Sequence, residues 1–166
     1  MSEQAIILLA EDREDDILLI RRAFKQGGIN NPLHVVRDGE QAVAYLKGEG
    51  RFFNREEYPV PDLLLLDLKM PRMDGFEVLR WIRKQPGLSS LRVVMLTSSE
   101  DIRDVNVAYR MGANSFMVKP MDFENVVELG KVLKDYWLKL DKAPETSRPP
   151  RSQVSKPDEK STGGEP

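Results

Sequence analysis

Glu11 and Asp12, Asp67, Thr97 and Lys119 each close a short apolar run, at residues 5–10, 63–66, 91–96 and 114–118 respectively. If those runs are strands of one parallel sheet, all five side chains arrive at its carboxyl edge, where open α/β sheets bind ligands. Three carboxylates in one small site repel one another and raise each other's pKa. A bound cation resolves the conflict. Carboxylate oxygens, a backbone carbonyl and waters suit Mg²⁺, which keeps several waters and accepts a phosphate oxygen as a further ligand. Thr97 adds a hydroxyl donor and Lys119 a mobile positive charge. Phosphoryl transfer depends mainly on positioning and on neutralising the equatorial oxygens. These residue types therefore point to an aspartyl-phosphate site with Asp67 as nucleophile. Taken singly, a strand-end Asp or Thr is as readily a helix cap. The joint occurrence at four strand ends is much harder to obtain by accident.

The elements that must hold these residues are legible from periodicity. The run Leu63-Leu64-Leu65-Leu66 before Asp67, closed by Pro71 and Asp74-Gly75, reads as a central strand buried on both faces. Residues 5–10 give a second such strand, 33–36 a short one, 91–96 a fourth and 114–118 a fifth. Between them lie amphipathic patterns over 14–26, 41–47, 75–85, 101–111 and 123–140. Five strand–helix alternations argue a doubly wound parallel sheet with helices on both faces and right-handed crossovers. Periodicity does not give strand order; the flavodoxin-like order 2-1-3-4-5 is the common one for five such units. The 48–61 connection is long for its kind and carries Phe52, Phe53 and Tyr58. It reads as a loop capping the bottom of the core, with partner docking as the alternative. His34, the one histidine, reads as a packed structural residue rather than a ligand or phosphorylation site.

Bulk properties narrow the classes. The chain has 166 residues, no cysteine and a net charge of −2. Disulfides, zinc-thiolate sites and thiol nucleophiles are excluded together. No global basic field favours nucleic acid or anionic lipid. The apolar run of residues 5–10 is too short to span a membrane, so the expected location is the cytoplasm. Residues 141–166 are rich in Pro, Ser, Thr, Gly and charge and are expected to be a disordered tail. They are too few and too polar for a DNA-binding module. Arg148-Pro149-Pro150-Arg151 reads as part of a solubilising tail rather than a peptide ligand.

With these residues in hand, the chain resembles the receiver domain of two-component response regulators. The resemblance covers about residues 4–140 in order and spacing, so 1–140 is expected to be one receiver domain. It implies Asp67 as phosphoacceptor and Asp12 as direct Mg²⁺ ligand, with Glu11 acting indirectly. It implies the main-chain carbonyl of Lys69 as a further ligand. Met70-Pro71 and Asp74-Gly75 match the loop after the acceptor. Thr97 matches the switch hydroxyl, Ser98 the small position after it, Lys119 the phosphoryl-binding lysine, and Phe116 the switch aromatic. The resemblance implies a cis Lys119-Pro120 bond. It further implies that Phe116 turns inward on phosphorylation and that the surface of the fourth helix, fifth strand and fifth helix carries the signal.

Residues 11–16 and the long 48–61 connection look like stand-alone regulators that work with phytochrome-type sensor histidine kinases. The implied function is that of a single-domain response regulator in a phosphorelay. Such a protein is no enzyme beyond its own phosphoryl transfer and dephosphorylation. Output then requires a downstream protein target. In the last helix Phe123, Val126, Val127, Leu133, Trp137 and Leu140 form one apolar stripe, widened by Leu129, Val132 and Tyr136. The extra width suggests a homodimer through the fourth helix, fifth strand and fifth helix, with a wide but buried core face as the alternative. Three other functions compete with this one. A haloacid-dehalogenase-like phosphatase needs a second acid where Lys69 stands. A flavodoxin-type carrier would find its phosphate repelled by Glu11-Asp12. A pseudo-receiver or phosphate sink that binds partners without relaying phosphate is set against the complete set of acids, Thr and Lys.

Overall fold

The apolar runs become five strands paired in parallel, in the order β2-β1-β3-β4-β5. The computed structural model describes residues 5–98, 102–119 and 123–138, and of Ile102, Phe123, Tyr136, Trp137 and Leu138 the backbone only. Along the chain come β1 (Ile7–Ala10), α1 (Glu14–Gln26), β2 (Leu33–Val36), α2 (Gly39–Lys47) and β3 (Leu63–Leu66). They are followed by α3 (Gly75–Arg83), β4 (Arg92–Thr97), α4 (Ile102–Arg110), β5 (Ser115–Val118) and α5 (Phe123–Val132). The alternation, the helix positions and the flavodoxin-like order all match the reading of the sequence. Boundaries move by a residue or two where caps decide them. Asp38 accepts a hydrogen bond from Gln41 N at 2.7 Å, which starts α2 at Gly39 rather than residue 41. The last helix passes into a π-helical stretch, Leu133–Leu138.

The strand pattern explains the layering. Successive side chains of a strand point to opposite faces. Leu64 and Leu66 therefore join Leu8, Ala10, Val93, Met95 and Phe116 in one core with Ala42, Val78, Leu79 and Val105 of α2, α3 and α4. Leu63 and Leu65 join Ile7, Leu9, Val94, Leu96 and Met117 in a second core against α1 and α5. All four leucines of β3 are buried, worth roughly 2 kcal/mol each in transfer free energy. A strand needs leucine at every position only if both faces are covered, and here both are.

Two expectations are refined. The 48–61 connection forms a short 3-10 turn, Gly50–Phe52, and buries Phe52 against Tyr45, with ring centroids 5.1 Å apart. Tyr58 packs edge-on to both, and His34 lies 5.9 Å from the Tyr45 ring. The loop thus covers the core beside the edge strand, and His34 is a packed structural residue, half-buried with its pKa lowered by that burial. Phe53 stays exposed.

The widened stripe of α5 is the second. Of the residues that widen it, Leu129 and Val132 are buried with Ile17, Ile20, Ala23 and Phe24 of α1, so for these two the buried core face holds and not the second subunit. The reason is a close helix crossing. A Cβ on Gly130 would meet the Ala23 carbonyl oxygen at 2.4 Å, so α5 can lie directly on α1 as well as on the sheet. Leu140, the tail at 141–166 and the Lys119-Pro120 bond lie outside the described residues, as do the side chains of Phe123, Tyr136 and Trp137. Among the described residues no helix is long and apolar enough to cross a membrane.

Candidate functional site

The parallel register brings the strand ends level. Ala10 pairs with Leu66, Leu66 with Met95, and Thr97 with Val118. The main-chain ladder runs one residue further, into the site. Glu11 N donates to Val36 O at 2.9 Å, Asp67 N to Ala10 O at 3.0 Å, and Lys119 N to Thr97 O at 2.8 Å. Glu11, Asp67 and Lys119 are therefore fixed at the backbone on rigid supports. By strand alternation all three point to the α1/α5 side, with Leu9, Leu65 and Met117.

There the side chains meet. Lys119 Nζ, only 5% exposed, lies 2.5 Å from Glu11 Oε1, 2.8 Å from Asp16 Oδ2 and 3.4 Å from Asp67 Oδ1. The Glu11 contact is an ion pair rather than a well-aligned hydrogen bond. Glu11 Oε2 accepts from Arg13 N at 3.1 Å, and Asp67 Oδ1 accepts from Leu68 N at 2.9 Å. Asp12 is half-buried, and its buried Oδ1 has no hydrogen-bond partner among the described residues. Carboxylate oxygens of Glu11, Asp12 and Asp67 all lie within 4.8 Å of one another.

The electrostatics follow from this crowding. Burial pushes the Glu11 carboxyl up to about 7, opposed by its contact with Lys119 and reinforced by the charge of Asp67. Burial likewise raises the Asp67 carboxyl, with Lys119 pulling the other way. For Lys119 burial alone would lower the pKa. Its hydrogen bond to Asp16, its ion pair with Glu11 and the charge of Asp67 outweigh that and hold the ammonium above its ordinary range. One ammonium does not neutralise the acids around it. An orphaned, buried carboxylate oxygen beside two further carboxylates is a donor set that fits a hard divalent cation.

The loop after the acceptor is held from two sides. Gly75 begins α3 with its N–H donated to Leu68 O at 2.8 Å. A Cβ there would meet the Asp67 carbonyl oxygen at 2.3 Å, so only glycine lets the helix start against the acceptor. Arg72 has φ 69°, left-handed backbone for a non-glycine residue. Its side chain forks onto Asp38, with Nε 2.9 Å and Nη2 2.8 Å from Oδ2. The β2–α2 turn and the loop 68–74 are thereby tied together. Lys69 lies within that loop with its side chain exposed, away from the buried cluster.

The remaining candidates are placed as follows. Thr97 is buried as the last residue of β4, and Ser98 after it is exposed. Phe116 is 1% exposed and packs in the core with Val105 and Ala108. The inward turn expected of it on phosphorylation is therefore not a turn from solvent. A phenyl ring has no hydroxyl to hold at the surface, and burial is its favoured state. Two participants escaped the sequence reading. Asp16 stands in the first turn of α1, inside the acidic run 11–16 that follows β1, which is the signal that could have found it. The Arg72–Asp38 fork joins residues 34 positions apart and left no local trace.

Residues 7–130 match the response regulator receiver domain. The chain is 37% identical over 142 residues to the probable methanogenesis regulatory protein FilR2 of Methanothrix harundinacea, covering 84% of this chain and 87% of that protein. It is 35% identical over 133 residues to response regulator Rcp1 of Synechocystis sp., covering 80% and 88%. The crystal structure of the Mn²⁺-bound form of Rcp1 superposes with a TM-score of 0.72 over 88% of this chain and 99% of that one, at 34% identity. The phosphorylated cyanobacterial phytochrome response regulator RcpA gives 0.74 over 81% and 94%, at 35% identity.

Proposed function

The chain belongs to the response regulator receiver family of two-component signalling, and from that premise we propose that it accepts a phosphoryl group on Asp67 from a sensor histidine kinase. A carboxylate oxygen of Asp67 attacks the phosphorus of a phosphohistidine. An O–P bond forms as the P–N bond breaks, and the departing imidazole nitrogen keeps the electron pair. Mg²⁺ held by Asp12, Asp67 and the Lys69 main-chain carbonyl, with Glu11 acting indirectly, would neutralise charge on the phosphoryl oxygens. Lys119 pairs with one phosphoryl oxygen and Thr97 donates its hydroxyl to another. Ser98 leaves room beside Thr97, and the packing of Phe116 on α4 passes the change to the surface of α4, β5 and α5.

The observation that carries this reading is the meeting of Glu11, Asp67 and Lys119 at the ends of three different strands, beside the orphaned oxygen of Asp12. The kinase is proposed to be of phytochrome type, because similar proteins include phytochrome response regulators. The cytoplasm, as the site of such relays, is part of the same proposal. So are the division at residue 140 and a homodimer through the α4–β5–α5 face. With Leu129 and Val132 committed to α1, that dimer rests on the half-buried Val127 and the rest of the face. Sedimentation with and without beryllofluoride tests it.

Intact-mass measurement after incubation with acetyl phosphate and Mg²⁺ tests the central claim. Wild type gains one phosphoryl group and Asp67→Asn gains none. Uptake by the variant at the wild-type rate would overturn the assignment.

A further inference from the structure

Lys119 pairs with the acceptor, but it lies closer to two other acids. Its ammonium lies 2.8 Å from Asp16 and 2.5 Å from Glu11, against 3.4 Å from Asp67. Asp16 differs from the other acids in origin and in use. It comes from the first turn of α1, whereas Glu11 and Asp67 follow strands. It is not among the three acids grouped closely enough to share a cation, which are Glu11, Asp12 and Asp67. Its other charged contact is the exposed Arg13, at 3.5 Å.

We propose that Asp16 is a positioning residue, a latch that draws the Lys119 ammonium toward α1 until a phosphoryl group arrives. The proposal rests on the aspartyl-phosphate reading above and deepens it. An ammonium has three hydrogens to donate, and three carboxylates surround this one. A phosphoryl oxygen must displace one of them. Glu11 is fully buried at the end of a strand and cannot follow a moving charge into water. Asp16, with its side chain 22% exposed on a helix, is rehydrated at lower cost. Asp16 is thus the partner that lets go. While it holds, it competes with the phosphoryl group for the same positive charge, so it favours the unphosphorylated state.

Isothermal titration of the full chain with beryllofluoride in the presence of Mg²⁺ reads this competition directly. Asp16→Asn, which keeps shape but gives up charge, is expected to bind roughly tenfold tighter than wild type. Asp16→Glu keeps the charge and returns the affinity toward wild type. Asp15→Asn removes the same charge from an exposed position of the same turn and leaves the affinity near wild type. Misfolding would weaken binding, so tighter binding is not a by-product of damage. Unchanged or weaker binding by Asp16→Asn overturns the latch. Equal tightening by Asp15→Asn also overturns it, because the effect would then be general charge rather than release of Lys119. Failure of the wild type both to bind beryllofluoride and to label with acetyl phosphate overturns the aspartyl-phosphate reading itself. A wild type that binds and labels, with Asp16→Asn no tighter, removes only the latch.

Discussion

Two clusters in this molecule bury polar groups, and they do it in opposite ways. Beside the edge strand, Tyr45, Phe52, Tyr58 and His34 pack ring against ring. There Tyr45 donates its hydroxyl to Pro59 O at 2.9 Å. Arg55 closes that region by donating to the carbonyls of Tyr45, Leu46 and Tyr58 at 2.8–3.0 Å. At the carboxyl edge, three carboxylates press on one ammonium, and an oxygen of a fourth acid, Asp12, has no hydrogen-bond partner among the described residues. The aromatic region answers its polar groups within the chain, so it stabilises one arrangement. The acidic edge leaves an excess of negative charge that a cation and a phosphoryl group would rearrange. A region that satisfies its own polar groups holds one arrangement, and a region that does not leaves room for a further ligand.

The largest test of that contrast is Phe52→Ala. It removes a buried ring and should cost about 3 kcal/mol of stability. Urea unfolding would show a lower midpoint, while labelling by acetyl phosphate at low temperature stays near the wild-type rate. A matching loss of labelling would mean that the two regions are not separable. Asp67→Asn should act in reverse. It abolishes labelling, yet relieves repulsion with Glu11 and raises stability by about 1 kcal/mol in the same urea measurement.

The smallest effect is in pH, and its sign differs between the two regions. The folded Glu11 carboxyl titrates at about 7, above its ordinary 4.5, so between those values the folded chain holds more protons than the unfolded one. Glu11 therefore lowers stability as pH rises through that window. His34 is held below its ordinary 6.5 by burial, so below that value the unfolded chain holds more protons. His34 therefore lowers stability as pH falls. Urea titrations between pH 5 and pH 7.5 should show Glu11→Gln abolishing the first slope and His34→Gln the second. Both variants sloping alike would break the comparison.

Much of this is legible in the sequence. The four leucines ahead of Asp67 announced a strand covered on both faces, because only such a strand can bury every side chain. The acids and the lysine at the ends of such runs announced their meeting at one edge, because parallel strands deliver their ends there. What local pattern could not settle was whatever depends on one element lying against another. Leu129 and Val132 looked free to meet a second subunit until the Gly130 crossing placed them on α1. The fork of Arg72 on Asp38 is a meeting of two loops. Asp16 is one member of the acidic run 11–16 in the sequence, and only α1, packed against the sheet, sets it 2.8 Å from Lys119, 103 residues away. Periodicity reports which face of an element is apolar. Only the packed structure decides which neighbour that face, or the charge beside it, will find.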